Sequence, residues 1–202
     1  MQYTIPNSDI TINVIDDFNP PDYNDENARP TDELELGLRI KDTSFSVINI
    51  SISNQHMPYF DPTIVIDSIH SDLNDKQGLI EVRSGWAKNG PYLYSIVKNQ
   101  IEPCGMMYIL SMDMSINEAT IHVQGQFMEE GTTGQRDALV LSAMKNNESF
   151  DMEKHWFRDH YDPNYTKGLR MNISENEYWD ARFPEHPLSV CRYFIDRFVH
   201  DN

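Results

Sequence analysis

The chain of 202 residues carries 32 acidic against 16 basic side chains, a formal charge of −16 at neutral pH. Its 39% hydrophobic and 11% aromatic residues supply the apolar material for one packed core, which argues against wholesale disorder. There is no Lys/Arg cluster to displace counterions from nucleic acid or an anionic bilayer, so neither is an expected partner. No stretch has the length of a transmembrane helix, and Met1-Gln2-Tyr3-Thr4 has no basic leader character. Cys104 and Cys191 fit neither a zinc spacing nor a disulfide framework, and the expected compartment is a reduced cytoplasm. The acidity has a plain reading, solubility, and a sharper one, a docking surface for a basic protein whose approach complementary fields would speed.

In chain order, Ile10 to Val14 alternates as a short strand. Residues 16–35 read as a loop punctuated by Pro20, Pro21 and Pro30, with eight acidic residues against Arg29 alone, and limited proteolysis is expected there first. Leu34, Leu36, Leu38 and Ile40 alternate with polar neighbours as a one-face-buried strand. The return strand changes parity between Val47 and Ile48, which predicts a bulge near Val47. Asp61-Pro62 starts a helix, although the β-branched run from Thr63 to Ile66 favours a strand. From Leu79 to Met128 four alternating segments are joined by reversals too short for anything but antiparallel neighbours.

Beyond the meander, Thr132 and Gln135 fit a capping box for a helix to Lys145, whose apolar residues suit packing across the sheet. Ser174 and Glu177 fit a second box. Pro187 opens a last helix with Leu188, Cys191, Phe194, Ile195 and Phe198 on one stripe. The expected fold class is α+β, an antiparallel meander flanked by helices as an α/β/α sandwich. It is read as one domain over 1–202, with a core at 34–145 and a helical extension at 150–202 docked on it.

The order of elements from Leu34 to Lys145, with Tyr94-Ser95-Ile96-Val97-Lys98 and the Gly-Thr-Thr-Gly-Gln-Arg segment at 131–136, resembles the sandwich shared by PsbP photosystem subunits, the Ran-binding nuclear-import factor and DcrB lipoproteins. The resemblance covers a little over half the chain. It implies a binding or accessory role rather than catalysis. A lipoprotein signal like that of DcrB does not open this sequence, so an envelope role is not implied.

The densest constellation is His155-Trp156-Phe157-Arg158-Asp159-His160-Tyr161-Asp162. A hydrolase or metal-dependent enzyme would use this His155 to Asp162 cluster, with Asp159 and Asp162 adding oxygen ligands to His155 and His160 if the segment is a loop. The two histidines are five apart, however, which does not place two ligands on one helical face. The plainer role of the segment is to pin the extension through Trp156. Glu129-Glu130 ahead of Gly131-Thr132-Thr133-Gly134 and Arg136 has the outline of an anion loop, but two carboxylates would repel phosphate and the Gly-Lys-Ser/Thr ending is missing. Neither a nucleophile signature nor a Gly-x-Ser-x-Gly elbow is present, so no catalytic residue, metal or cofactor is expected. Trp86, Tyr92 and Tyr94 at the first meander turn are candidate interface anchors if exposed. The methionines 106, 107, 112, 114 and 128 read as core filling or as a yielding groove. The expected partner is a protein, and the acidity fits a basic one.

Overall fold

A computed structural model describes residues 1–20, 32–53, 61–101, 105–146, 150–157 and 159–202. Its strands and helices are β1 (Gln2–Thr4), β2 (Thr11–Asn13), β3 (Leu34–Ile40), β4 (Ser44–Ser53), α1 (Pro62–Asp72), β5 (Gln77–Trp86), β6 (Pro91–Gln100), β7 (Met106–Ile116), β8 (Ala119–Glu129), α2 (Gln135–Lys145), the one-turn α3 (Met152–His155) and α4 (Pro187–Asp201). Two 3-10 turns, Ile173–Glu175 and Glu177–Arg182, precede α4. Among the described residues, six strands form one antiparallel sheet in the order β3-β4-β8-β7-β6-β5, and β1 pairs with β2 in a separate hairpin. The α+β class and the meander follow the alternation in the sequence. Asn117 and Glu118 join β7 to β8, both with positive φ, as a two-residue turn matched to strand twist requires. The turn expected at Glu102-Pro103-Cys104 lies outside the described residues.

Two strands depart from the alternation. β4 pairs with β3 and with β8 without a break, so no bulge stands at Val47. Ser44 and Ser46 occupy buried core-face positions and Phe45 and Val47 point to the other face; the apparent slip is two serines standing where apolar residues were expected. The irregularity falls on β5 instead. Leu79 is opposite Val97 and Glu81 opposite Ile96, leaving Ile80 as the extra residue. This bulge turns Glu81 onto the core face, beside Tyr94.

The helix that covers the sheet is α4, not α2. Leu188, Cys191, Phe194, Ile195 and Phe198 are buried in one cluster with Leu36, Ile48, Leu110, Met112, Met114, Val123 and Phe127 of the sheet and Ile5, Ile12 and Val14 of the N-terminal hairpin. The side-chain amide of Asn202 pins the end of α4 by bonding both the N–H (2.8 Å) and the carbonyl (2.9 Å) of Asn13. By contrast α2 buries only Arg136 and Val140, leaves Leu139 exposed and packs on the Ile173–Glu175 turn. α1 forms as its Asp61 cap implies, with the carboxylate accepting from Thr63 N–H at 2.9 Å, and lies against β5.

Neither expected capping box forms. Gly134, in the left-handed region at φ 70°, precedes α2 with no side-chain cap. In the tail, Asn172 and Glu175 form the reciprocal box and Asn176 caps the next turn, not Ser174 and Glu177. Residues 16–35 are not loop throughout either. Phe18 is fully buried with its ring 5.3 Å from Phe194, and Asn19 exchanges two backbone hydrogen bonds with Gly37. Residues 21–31, on which most of the expected acidic loop and its cleavage fall, lie outside the described residues. No helix among the described residues is long and apolar enough to cross a membrane.

The placement of the core gives a paired expectation. Phe198→Ala should lower the unfolding free energy by about 3–5 kcal/mol in urea titration, and Leu139→Ala on α2 by less than about 0.5 kcal/mol. The reverse ranking would mean that α2, not α4, closes the core.

Candidate functional site

Beside the apolar core, the sheet, the tail turns and α4 share a run of charges withdrawn from water. The bulge at Ile80 places the Glu81 carboxylate where it accepts from the Tyr94 hydroxyl (2.6 Å) and Arg192 Nε (2.9 Å) and lies 2.7 Å from Arg83 Nε. Arg192 reaches onward to Asp180 (3.2 and 3.3 Å) and to the Glu175 carbonyl (2.9 Å). Asp180 accepts from Ser189 Oγ (3.0 Å) and lies 2.9 Å from Arg136 Nη2. Lys98 donates to both oxygens of Glu175, at 3.0 and 2.8 Å, and to the Arg170 carbonyl at 2.8 Å. Positive and negative groups alternate along the run, so each desolvated charge has an opposite neighbour, the condition under which buried ions are tolerated. Burial, then the Glu81 charge, drives the Tyr94 hydroxyl well above its ordinary pKa.

Arg136 is the most enclosed member, at 1% exposure. Its Nε donates to the Ser174 carbonyl (2.6 Å), Nη1 to Ser189 Oγ (2.8 Å) and Nη2 to the Asn176 carbonyl (3.1 Å). A guanidinium with its donors committed to main chain and serine holds α2 to the tail; it does not wait for an anion.

The outer end of this run opens on a cleft of about 520 Å³ between α4 and the edge of the sheet. Leu38 and Ile40 of β3 and Val190 and Tyr193 of α4 give it apolar walls; Asp17, Asp180 and Asp196 stand among its lining. Asp17, Tyr193 and Asp196 are exposed. Pro184 separates this cleft from a second, of about 340 Å³, that holds Glu129, Thr132 and His186. His186 caps α4 by accepting from Leu188 N–H at its Nδ1 (3.3 Å). Burial, with Arg136 and Arg192 nearby, pushes its pKa down to about 3, so the imidazole is neutral and the 3.8 Å approach of Nε2 to Glu129 is not an ion pair. Burial raises the Glu129 carboxyl, although it accepts the N–H groups of Gly134 and Met106.

A neutral imidazole beside a desolvated carboxylate is acid–base material, but Ser189 and Cys191 are not free to act with it. The Ser189 hydroxyl is held between Asp180 and Arg136. Cys191 is fully buried and its thiol is pushed far above the range in which thiolate forms.

The side chains singled out in the sequence separate into different places. Trp86, at 81% exposure, ends β5 at the hairpin tip. Tyr92 is half-buried and stacks on Tyr94 (6.4 Å between rings), but Tyr94 is buried and bonded to Glu81, so it cannot serve as an exposed anchor. His155 is exposed and accepts from Asp151 N–H. Trp156 is buried with Val140 and Trp179 in a small second core that holds the tail, the plainer of its two roles. Asp159 is buried and bonded to His70 Nε2 at 3.1 Å, while His160 lies exposed at the boundary of two further clefts. Among the described residues, no three His, Cys, Asp or Glu side chains converge as a metal site requires. The sequence reading missed Glu81, Glu175, Asp180, His186 and Arg192. Lys98 alone carried a signal: it shares the parity of Tyr94 and Ile96, hence the core face, and a lysine there demands a buried partner.

His122, across from Asp113 on the face of the sheet away from α4 and bonded to it at 2.7 Å, is raised above 6.5 first by that hydrogen bond. The two histidines therefore act oppositely on stability. The contribution of His122 is present below pH 6.5 and is lost as pH rises through its folded value. The neutral state of His186 stabilises above 6.5, and the contribution falls by about 1.4 kcal/mol for each unit as pH drops from 6.5 toward 3. Titration by NMR should show His122 protonating above pH 6.5 and His186 unprotonated at pH 5. His186→Asn, which keeps a capping acceptor, should flatten the acid limb of the stability profile; an unchanged limb would assign it to other groups. A scan against protein-family models gives no match, and no curated protein is significantly similar to the chain.

Proposed function

We propose that this chain is a non-catalytic, cytoplasmic binding or accessory protein that docks a basic segment of a protein partner in the cleft between α4 and β3. The observation that carries the reading is the chemistry of that cleft, apolar walls from Leu38, Ile40, Val190 and Tyr193 with Asp17 and Asp196 exposed among them. The exposed charges of the cleft are acidic, and the one cation in its lining, Arg192, is committed to Glu81 and Asp180, so the cleft favours a segment that offers apolar side chains between cations. The rest of the molecule reinforces the sign. Lys98, Arg136 and Arg192, three of the 16 basic residues, are drawn into the interior with their acidic partners, which leaves the surface more one-sidedly acidic than the composition. The segment continuing past Asp17 adds further acidic residues by sequence. The resemblance to the PsbP-like group favours a binding role as well.

A labelled peptide of alternating leucine and lysine tests the reading by fluorescence anisotropy. It should bind, and affinity should fall about tenfold or more between roughly 0.05 and 0.5 M salt. The double variant Asp17→Asn/Asp196→Asn should weaken binding about tenfold, and Tyr193→Ala by a similar factor, with thermal unfolding unchanged. Equal binding of an alternating leucine and glutamate peptide, or no effect of these variants, would overturn the assignment of the cleft.

A further inference from the structure

Resting on that docking reading, we infer that the partner segment enters the cleft as an extended strand, adding to the sheet at the open edge of β3 beside Arg39. β3 ends the six-stranded order, so one side of it faces no strand of that sheet. At Gly37 this outer side is covered, because Asn19 N–H donates to the Gly37 carbonyl (3.0 Å) and Gly37 N–H to the Asn19 carbonyl (2.7 Å). In an antiparallel continuation Asp17 would stand opposite Arg39. The chain does not follow that course; it turns at residues 15–18, where Phe18 N–H bonds the Ile15 carbonyl at 3.1 Å. Among the described residues the cover therefore stops one pair short.

Along an antiparallel strand every second residue sends both its N–H and its carbonyl to the same side. Gly37 sends them outward, so Arg39 does too, and Arg39 is exposed. Its side chain is on the opposite face from the cleft. The guanidinium sits 5.0 Å over the Phe45 ring and 3.1 Å from Glu130, so its charge is balanced there. Leu38 and Ile40 share the parity of buried Leu36 and point to the cleft side.

These placements define the occupant. A strand laid antiparallel beside Arg39 gains two main-chain hydrogen bonds and continues the course that Asn19 begins. Its alternate side chains fall over Leu38, Ile40, Val190 and Tyr193, the intervening ones project to the other face, where Glu130 stands, and cations at the ends of the strand meet Asp17 and Asp196. A helix laid in the same place would satisfy its own backbone and leave the Arg39 groups to water. Strand addition of this kind draws affinity from the backbone and selectivity from alternate pockets.

The probe is the same alternating leucine and lysine peptide, made as a series with one backbone nitrogen methylated at a time, together with amide exchange on the full chain. Methylation at one alternate set of positions should weaken binding about tenfold, and at the intervening set less than about twofold. Saturating peptide should slow exchange of the Arg39 amide at least tenfold and leave the Gly37 amide, already bonded to Asn19, unchanged. If the peptide binds but the methylation series is flat and Arg39 exchange is unaltered, strand addition is overturned while docking in the cleft stands. If the peptide does not bind at all, the docking reading fails and this inference with it.

Discussion

The architecture turns on charges that are out of water and must meet. A sheet face of leucine, methionine and valine is indifferent to small slides of the helix packed on it, because apolar contact has no direction. Arg192 is not indifferent. Moving α4 by one turn would carry its guanidinium about 5.4 Å from Glu81 and Asp180 and leave it without a carboxylate partner, with Glu81 held only by Arg83 and Tyr94 and Asp180 by Arg136. The same constraint explains the bulge in β5, since without the extra residue at Ile80 the Glu81 carboxylate would face the other side of the sheet. It explains why Glu175 sits in a reciprocal cap, since that box fixes the carboxylate that Lys98 needs. Register, bulge and cap are three local responses to one requirement.

That requirement also marks what the sequence could and could not tell. The meander was legible because β7 and β8 alternate through most of their length and the turns are short. α4 was legible because proline opens it and its apolar residues keep one stripe. The bulge was misplaced because Ser44 and Ser46 are small enough to sit in a core face, while Ile80 looks like an ordinary strand residue. α2 was expected across the sheet because Leu139 and Leu141 are apolar, and nothing local says that Arg136 rather than leucine would be on the buried side of that helix.

The candidate site was less legible for a reason of distance. Its members lie at positions 17, 38, 40, 190, 193 and 196, brought together by the closing of α4 over the edge of the sheet. No motif spans such a gap. The dense run from His155 to Asp162 drew the eye because its members are neighbours in sequence, yet the fold spends Trp156 on a small core and Asp159 on His70, and leaves His155 and His160 outside. The signal that did survive was bulk charge, which needs no adjacency.

The position of α4 in the chain has a consequence for how the molecule is made. The helix that seals the apolar face of the sheet is synthesised after the strands β1 to β8, and its ties run back across 111 residues to Glu81 and, from the preceding tail, across 77 to Lys98. During translation the strands leave the ribosome with Leu110, Met112, Met114, Val123 and Phe127 lacking their cover. Pairing of the meander is local and fast, but burial must wait for the last helix, and such non-local closure is slow. For that interval the nascent chain is a sheet with one greasy side, and its strong negative charge keeps neighbouring copies apart until the helix arrives.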